Sequence, residues 1–336
     1  MSRLVAPLAI AASLAAPLPA HAQPDIPTLT VYTYSSFVGR YGPGAAIGDL
    51  FEERCGCRLE WVASDDSGSL LGRLRLEGET TGADVVLGLD MNLAHEARAL
   101  GLFAPHGRDT GDLDLPIAWE DDVFLPFDWG HLAFVYDETR LPAPPTSLRA
   151  LVEDVDGPSL VLQDPRTSAP GFGFLLWMEA VFGEEAPAAW EKLAPRVVTF
   201  TSGWSQAYGL FLEGEADMVL SYQTSPAYHR AVENETRYRA AAFEEGHYLH
   251  VEIAGMIRTS AEPELARDFL DFMLSDDFQA LIPQGNWMFP ARIPEEGLPE
   301  AFDDLIEPAT SFLFDPEQVA RDRRALIDAW LAATAR

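Results

Sequence analysis

One strand-to-helix junction decides the fold: DMVLSYQTSPAYH, residues 217–229. Its apolar run from Met218 to Leu220 predicts a buried strand, and Pro226 is typical of the first turn of a helix. Between them lie an aromatic residue and three hydrogen-bonding residues: Tyr222, Gln223, Thr224 and Ser225. A strand that served only the core would end more simply at glycine or aspartate. We therefore predict that this strand end forms one wall of a ligand cleft.

Strand patterns alternate with helix patterns on both sides of this junction. Towards the N terminus, short apolar runs over residues 29–33, 59–62 and 83–87 are each followed by a helical pattern. A second series starts at residues 132–136 and leads to the junction. This repeated order predicts an α/β fold with parallel sheets and helices on both faces.

The length of the chain predicts two lobes. The sequence has 336 residues, which is more than one hydrophobic core usually supports. Residues 124–130 and 243–248 are predicted to cross between the lobes, and two such crossings would form a hinge. The predicted boundaries are an N-terminal lobe of residues 23–127 and 246–300, and a C-terminal lobe of residues 128–245 and 301–336.

The first 22 residues have the three parts of a secretory signal. Met1-Ser-Arg3 precedes a largely apolar run, and Ala20-His-Ala22 precedes the predicted mature start at Gln23. Pro7 and Pro17 bracket a run that is too short for a transmembrane helix. We predict a cleaved signal peptide, residues 1–22, and a mature chain that does not span the membrane.

The charge of the protein excludes one class of partner. The formal net charge is −30, so nucleic acid is not an expected partner. The acidic residues are scattered along the chain, which is typical of a solvated surface. Such a surface attracts a cationic ligand or simply keeps the protein in solution, and the sequence leaves both interpretations open.

Polar residues follow the predicted strands at their carboxyl ends, where ligands of open α/β sheets bind. Tyr34 follows the first strand, Asp66 and Ser67 follow the second, and Ser168 lies in the exit at residues 163–171. Two of these exits also begin helices, whose free N–H groups can hold a phosphate. The same residue types are ordinary helix caps, and that alternative stays open.

Four aromatic residues lie at strand exits or in a loop rather than in periodic apolar segments. They are Tyr34, Trp204, Tyr222 and Trp287. Each alone fits a structural role, but together they would sandwich a flat ring, and a cationic ring gains about 0.5 to 2 kcal/mol for each well-placed face. Asp66 would then balance positive charge on the ligand.

The mature sequence contains no local motif for catalysis or metal binding. Its histidines are dispersed, and no GxSxG elbow, P-loop or HExxH segment occurs. We therefore expect a protein that is not an enzyme and that has no cofactor and no metal. Cys55 and Cys57 flank one glycine, and they either form a short-loop disulfide or stay as thiols.

The mature sequence resembles, over essentially its whole length, the periplasmic thiamine-binding proteins of bacterial thiamine ABC importers. Matching stretches are LTVYTY (29–34), ADVVLGLD (83–90), QDPRTS (163–168), AYGLFL (207–212), TSPAY (224–228) and GNWM (285–288). The resemblance implies a two-lobed, type II periplasmic substrate-binding fold, in which each lobe is a mixed sheet with flanking helices and two crossovers form the hinge. It also implies capture of thiamine, thiamine monophosphate or thiamine diphosphate in the periplasm and delivery to a membrane permease.

Ligand contacts are carried over from this family by position. They are Asp66 and Ser67 in one lobe, Ser168, Ala169, Trp204, Tyr222, Gln223, Thr224 and Ser225 in the other, and Tyr34, Tyr41 and Trp287 beside the rings. Tyr41 stands where tryptophan is expected, Ser67 where glycine is expected, and Ala169 where a hydroxyl residue is common. The preferred phosphorylation state therefore stays open. The alternatives are a polyamine or ferric-ion receptor of the same fold, or a thiamine-phosphate hydrolase.

Overall fold

An 11-stranded sheet runs through the molecule. The computed structural model describes residues 26–335, and the predicted signal peptide lies outside the described residues. The strands are β1 Thr28–Tyr34, β2 Arg58–Ser64, β3 Val85–Asp90, β4 Leu125–Asp137, β5 Leu160–Gln163, β6 Val197–Thr201, β7 Met218–Tyr222, β8 Tyr238–Ala240, β9 His247–Met256, β10 Phe289–Pro290 and β11 Ser311–Phe312.

Helices follow most of the strands, as the alternating pattern predicted. They are α1 Gly44–Cys55, α2 Ser67–Glu77, α3 Ala94–Ala99, α4 Leu148–Glu153, α5 Ala169–Phe182, α6 Ala186–Leu193, α7 Trp204–Leu212, α8 Ser225–Tyr228, α9 Pro263–Met273, α10 Asp276–Gln279 and α11 Pro316–Thr334. Within residues 26–335, none of the helices is long and apolar enough to cross a bilayer.

The strand order is β2-β1-β3-β9-β4-β7-β5-β6. The outer strands are parallel, because β1 pairs with β2 and β3, and β5 pairs with β6 and β7, in the same direction. The central strands are antiparallel, since β9 runs against both β3 and β4, and β4 runs against β7. The sheet is therefore mixed, as the family resemblance implied, and not parallel throughout, as the βαβ pattern alone predicted.

Strand β4 belongs to both halves of the sheet. Its first part, Leu125 to His131, pairs with β9, and its second part, Leu132 to Tyr136, pairs with β7. The predicted crossing at residues 124–130 thus lies almost wholly inside one continuous strand. An extended strand can carry the chain between halves without a separate linker, because its backbone groups stay paired.

Each half of the sheet is covered by apolar residues on both faces. In β4, Phe134 packs with Trp177 in one cluster, while its neighbour Val135 packs with Phe211 in another. In the other half, Val31 packs with Phe51 on one face and Tyr32 packs with Leu70 on the opposite face. This period of two is the strand geometry that places successive side chains on opposite faces. The α/β class is confirmed, whereas the exact lobe boundaries stay a prediction.

Cys55 and Cys57 form a disulfide at the end of α1. Gly56 between them has φ 63°, which places it in the left-handed region. Glycine adopts that conformation without strain. The sequence left open whether these cysteines are bonded, and the structure joins them.

Candidate ligand-binding cleft

A cavity of about 410 Å³ lies at the strand exits, between the two halves of the sheet. Its wall is formed by Tyr34 and Tyr41 from the first half, Trp204 and Tyr222 from the second half, and Trp287 from the loop before β10. Small-molecule sites occupy about 300–1,000 Å³ and are mostly apolar with a few polar groups. This cavity has both features.

Asp66 joins the two halves at one end of the cavity. As the residue before α2, it accepts a hydrogen bond from the backbone N–H of Ser67 at 2.7 Å. The same carboxylate accepts from the N–H of Ala169 at 3.1 Å and from the N–H of Trp204 at 3.3 Å. The first N–H groups of a helix lack partners within that helix, so one side chain satisfies three helix N-termini.

Two glycines allow the halves to approach this closely. A Cβ atom on Gly68 would lie 2.7 Å from the backbone of Thr167, and one on Gly203 would lie 2.9 Å from the carbonyl oxygen of Asp65. Contacts of that length do not occur between ordinary Cβ atoms and backbone. The backbone N–H of Ser69 also donates to the carbonyl of Thr167 at 3.1 Å.

Burial sets the protonation of Asp66. Loss of solvation raises the pKa of this carboxyl to about 6, and the hydrogen bonds from Ala169, Ser67 and Ser168 oppose the rise. Burial disfavours the charged form, whereas hydrogen bonds to a carboxylate favour it. Asp66 is therefore ionised at neutral pH and takes up a proton in mildly acidic solution.

Aromatic rings line the sides of the cavity. Trp204 stacks on Tyr208 with ring centroids 4.8 Å apart and an angle of 23°. Tyr228 meets Tyr41 at 6.0 Å and Trp287 at 5.5 Å, both edge to face. Tyr41 is 63% exposed, so one ring of this group lies at the mouth. Such faces are suited to stacking on a flat ligand.

The carboxyl group of Glu252 lies on the floor of the cavity, and that of Asp128 lies behind it. The hydroxyl of Tyr34 donates to Glu252 Oε2 at 2.5 Å, and Asn286 Nδ2 donates to Asp128 Oδ2 at 2.6 Å. Burial, and then the negative charge of Glu252, raise the pKa of Asp128 well above its usual value. Burial likewise raises the pKa of Tyr34, so that this phenol stays neutral. The floor attracts a cation and offers polar groups to hydrogen-bond it.

Seven of the twelve predicted site residues line the cavity. They are Tyr34, Tyr41, Asp66, Trp204, Tyr222, Ser225 and Trp287. The other five lie behind this wall: Ser67, Ser168, Ala169, Gln223 and Thr224.

These five have partners inside the protein. The hydroxyl of Ser67 donates to the Gly88 carbonyl at 2.5 Å, and that of Ser168 caps α5. The amide of Gln223 accepts from the His131 N–H and donates to the Ile306 carbonyl. The Thr224 hydroxyl lies 3.8 Å from the sulfur of Met288, and Ala169 contributes its N–H to Asp66. Their roles in ligand binding stay predictions.

The lining residues that the sequence did not predict include Glu252, Asn286 and Tyr228. Glu252 had a usable signal, because it is an acid in the apolar run LHVEIAGM, residues 249–256. A carboxylate rarely occupies a buried strand unless it is paired. Asn286 immediately precedes Trp287, and Tyr228 lies three residues after Ser225, but neither position follows from strand exits alone. Among residues 26–335, no three His, Cys, Asp or Glu side chains come together as a potential metal site.

The chain as a whole resembles a family of known proteins. A family model described as bacterial extracellular solute-binding protein matches residues 29–284. A thiamine-binding periplasmic protein of Brucella abortus is 54% identical over 308 residues, which cover 92% of each chain. One of the same name from Escherichia coli is 52% identical and covers 92% of this chain and 94% of its own.

Solved structures agree with the sequence comparison. A periplasmic thiamin binding protein has a TM-score of 0.91 and 51% identity, and the match covers 95% of this chain and 100% of that chain. A periplasmic binding protein from Actinobacillus pleuropneumoniae has a TM-score of 0.77 at 16% identity, and the match covers 91% of this chain and 98% of that chain. The second likeness supports the fold alone.

The chain therefore belongs to the bacterial extracellular solute-binding proteins. Within that class it belongs to the thiamine-binding periplasmic proteins. The predicted resemblance and the two-lobed type II fold are confirmed. The relatives are named as binding proteins rather than as enzymes.

Proposed function

We propose that this chain captures thiamine, or its mono- or diphosphate, in the cleft and delivers it to the membrane permease of an ABC importer. The observation that carries the proposal is the combination of aromatic side walls with an acidic floor in one cavity of ligand size. The names of the relatives at 52% to 54% identity supply the particular ligand. The proposed site of action is the periplasm, after removal of residues 1–22.

The chemistry of the cleft suits a flat cation. Thiamine carries a permanently charged thiazolium ring and an aminopyrimidine ring, and both can stack on Trp204 or on the Tyr41, Tyr228 and Trp287 group. A stacked cation gains about 0.5 to 2 kcal/mol for each aromatic face. The formal charge of −30 adds a long-range attraction that speeds encounter.

Closure is proposed to complete the site. The Asp66 carboxylate contacts helix N-termini of the other half, and these contacts require that the halves meet. A phosphorylated ligand would compete with Asp66 for the same N–H groups, because helix N-termini bind anions in general. The preference of the site for thiamine or for one of its phosphates thus depends on whether the phosphate displaces Asp66 from these N–H groups.

Identification of the bound molecule tests the proposal. The mature protein is purified without added ligand and denatured, and the released small molecules are identified by mass spectrometry. We expect thiamine or one of its phosphates. Calorimetry with thiamine, its two phosphates, spermidine and ferric citrate provides the second arm, and binding of spermidine or iron without binding of thiamine or its phosphates would overturn the proposal.

A receptor and a hydrolase are separated by incubation with thiamine diphosphate. A receptor returns the ligand unchanged, because it needs tight binding and no bond cleavage. Release of inorganic phosphate in proportion to protein and time would instead favour the hydrolase. A heat-denatured sample of the same protein is the control for spontaneous hydrolysis.

A further inference from the structure

Three carboxyl groups stand in one row at the base of the cleft, and of these Glu252 lines the cavity. Glu252 of β9 is directly opposite Asp128 of β4 on one side and Asp90 of β3 on the other. Glu252 is 6% exposed, and both aspartates are fully buried. Residues directly opposite in an antiparallel pair have Cβ atoms about 4.5–5.5 Å apart, and like charges there are destabilising.

Hydrogen bonds are distributed unequally within this row. Glu252 accepts from the Tyr34 hydroxyl at 2.5 Å, and Asp128 Oδ2 accepts from Asn286 Nδ2 at 2.6 Å. The second oxygen of Asp128, Oδ1, is buried and has no donor. A buried carboxylate oxygen without a donor is costly, but the cost vanishes if this oxygen carries a proton and donates it to Glu252.

The buried side chain of His250 can carry a positive charge close to this row. His250, two residues before Glu252 on the same face of β9, has Nε2 3.7 Å from Glu252 Oε1. Neighbouring charges of Glu252, Asp90 and Asp66 raise the pKa of this buried histidine against the effect of burial. The titratable and polar groups that face the Asp128–Glu252 pair are Tyr34 of β1, Asp66 before α2, Asp90 of β3, Tyr222 of β7, His250 of β9, Asn286 before β10 and, beyond Asp90, Arg323 of α11.

The two members of the pair differ in access to the ligand. Glu252 lines the cavity, whereas Asp128 lies behind it. A ligand can therefore contact Glu252 directly and affect Asp128 only through it. An opposite charge within a few ångströms favours the ionised form of a carboxyl group. A cation bound against Glu252 therefore weakens the binding of a proton by the pair.

We propose that Asp128 and Glu252 share one proton in the empty cleft, and that a cationic ring bound against Glu252 displaces this proton to the solvent. The O–H bond at Asp128 Oδ1 breaks, the proton passes to a buffer base, and both carboxylates remain ionised beside the cation. The proposal rests on the proposed function, because the cation used to test it is thiamine. Glu252 is thereby assigned as the counter-ion of the ligand, and Asp128 as the residue that holds the proton in the empty cleft.

One consequence is a pH-dependent affinity. Below the pH at which the empty pair loses its proton, each bound cation releases up to about one proton, and affinity rises by up to about tenfold per pH unit. Above that pH the affinity is constant. Burial of Asp128, together with the charge of Glu252, raises the pKa of Asp128 and so extends the rising part towards neutral pH.

Calorimetry in two buffers tests the proposal directly. Thiamine is titrated into the mature protein at one mildly acidic pH, in two buffers with different ionisation enthalpies. A released proton is taken up by the buffer, so the observed enthalpies differ in proportion to the protons released. We expect close to one proton per thiamine in the wild-type protein.

Matched variants locate the proton. Asp128→Asn should still bind thiamine and should lose most of the buffer-dependent enthalpy. Asp137→Asn is the control, because Asp137 is a buried aspartate of the same strand whose carboxylate pairs with Arg237 at 2.8 Å instead. This control should release the same number of protons as the wild type. Glu252→Gln should lose both the release and much of the affinity, and it provides a second variant if Asp128→Asn does not fold.

The outcomes separate this inference from the proposed function. Thiamine binding with equal enthalpies in both buffers would overturn the shared proton while leaving the receptor function intact. Proton release that persists in Asp128→Asn would move the source to another group and overturn the assignment. Failure of the wild-type protein to bind thiamine would overturn this inference, and failure to bind either thiamine phosphate as well would overturn the proposed function.

Discussion

The carboxylate of Asp66 and the backbone N–H of Ala169 are hydrogen-bonded at 3.1 Å across the cleft. Asp66 caps α2 in one half of the sheet, whereas Ala169 is the first residue of α5 in the other half. The N-terminus of α5 therefore already holds an anionic group, supplied by the protein. A ligand phosphate can take that position only if Asp66 withdraws or becomes neutral.

The first prediction concerns the choice between thiamine and its monophosphate. Asp66→Asn should raise the affinity for thiamine monophosphate relative to that for thiamine by roughly tenfold, because a charge that repels the phosphate is removed. Calorimetry with both ligands measures the ratio. Asp65→Asn removes an equal charge from the exposed neighbouring residue and should leave the ratio unchanged. An unaltered ratio in Asp66→Asn would mean that phosphate does not use these helix ends.

A second prediction concerns stacking on Trp204. Trp204→Ala should weaken thiamine binding by about 2 kcal/mol, or roughly thirtyfold, because one aromatic face of the cleft is lost. Trp204→Phe keeps a ring over Tyr208 but loses the bond from Nε1 to Ser221 Oγ at 2.8 Å, so its loss should be smaller. If both variants bind equally weakly, the N–H bond and not the ring is the important contact.

Sequence reasoning located the part of the site that depends on local order. Trp204 begins the helix after β6, and Tyr222 ends β7. Both strands run parallel to β5 between them, so their carboxyl ends lie at the same edge of the sheet. No knowledge of pairing was needed for these positions. The same reasoning found Asp66, which begins the helix after β2.

The floor of the cleft depends on register, which local sequence does not specify. Glu252 lies in the middle of β9, and its neighbours Asp90 and Asp128 are fixed only by how β9 pairs with β3 and β4. A shift of one residue would turn Glu252 to the other face. Gln223 illustrates the converse, because it adjoins Tyr222 in sequence but bonds to His131 behind the wall.

A third prediction uses the backbone of Trp287. Trp287 has φ 56°, and Asn234 has φ 54°. For a side chain other than glycine this left-handed conformation costs roughly 1–2 kcal/mol. Trp287→Gly should therefore weaken thiamine binding by about tenfold, while the free energy of unfolding falls by less than about 1 kcal/mol because relieved strain offsets the lost ring contacts.

The control for this change is Asn234→Gly. Asn234 has the same backbone conformation but is exposed and does not line the cavity. Thiamine affinity should therefore equal that of the wild type, as measured by calorimetry, with stability followed by urea unfolding. A large loss of stability in Trp287→Gly without loss of affinity would mean that the ring serves the fold rather than the ligand.

The last prediction concerns His131 and stability in acid. Burial lowers the pKa of this histidine from 6.5 to about 4, against the hydrogen bond from its ring to Gln223. The unfolded chain thus binds a proton between these two values while the native protein does not. The stabilising contribution is complete above pH 6.5 and is lost as the pH falls to about 4.

The size of the effect follows from the shift. His131→Asn should remove about 3 kcal/mol of pH-dependent change in the free energy of unfolding. Urea unfolding at several pH values across this window measures it, and His95→Asn, on an exposed position of α3, should keep the wild-type profile. Because its histidine no longer takes up a proton on unfolding, the His131→Asn protein should lose less stability on acidification than the wild type. An identical profile would show that His131 is accessible to protons in the native state.

The contribution of Asp66 to stability has the opposite pH dependence, since its raised pKa favours the native state at low pH. Asp66 is present in both proteins, so it does not affect their comparison.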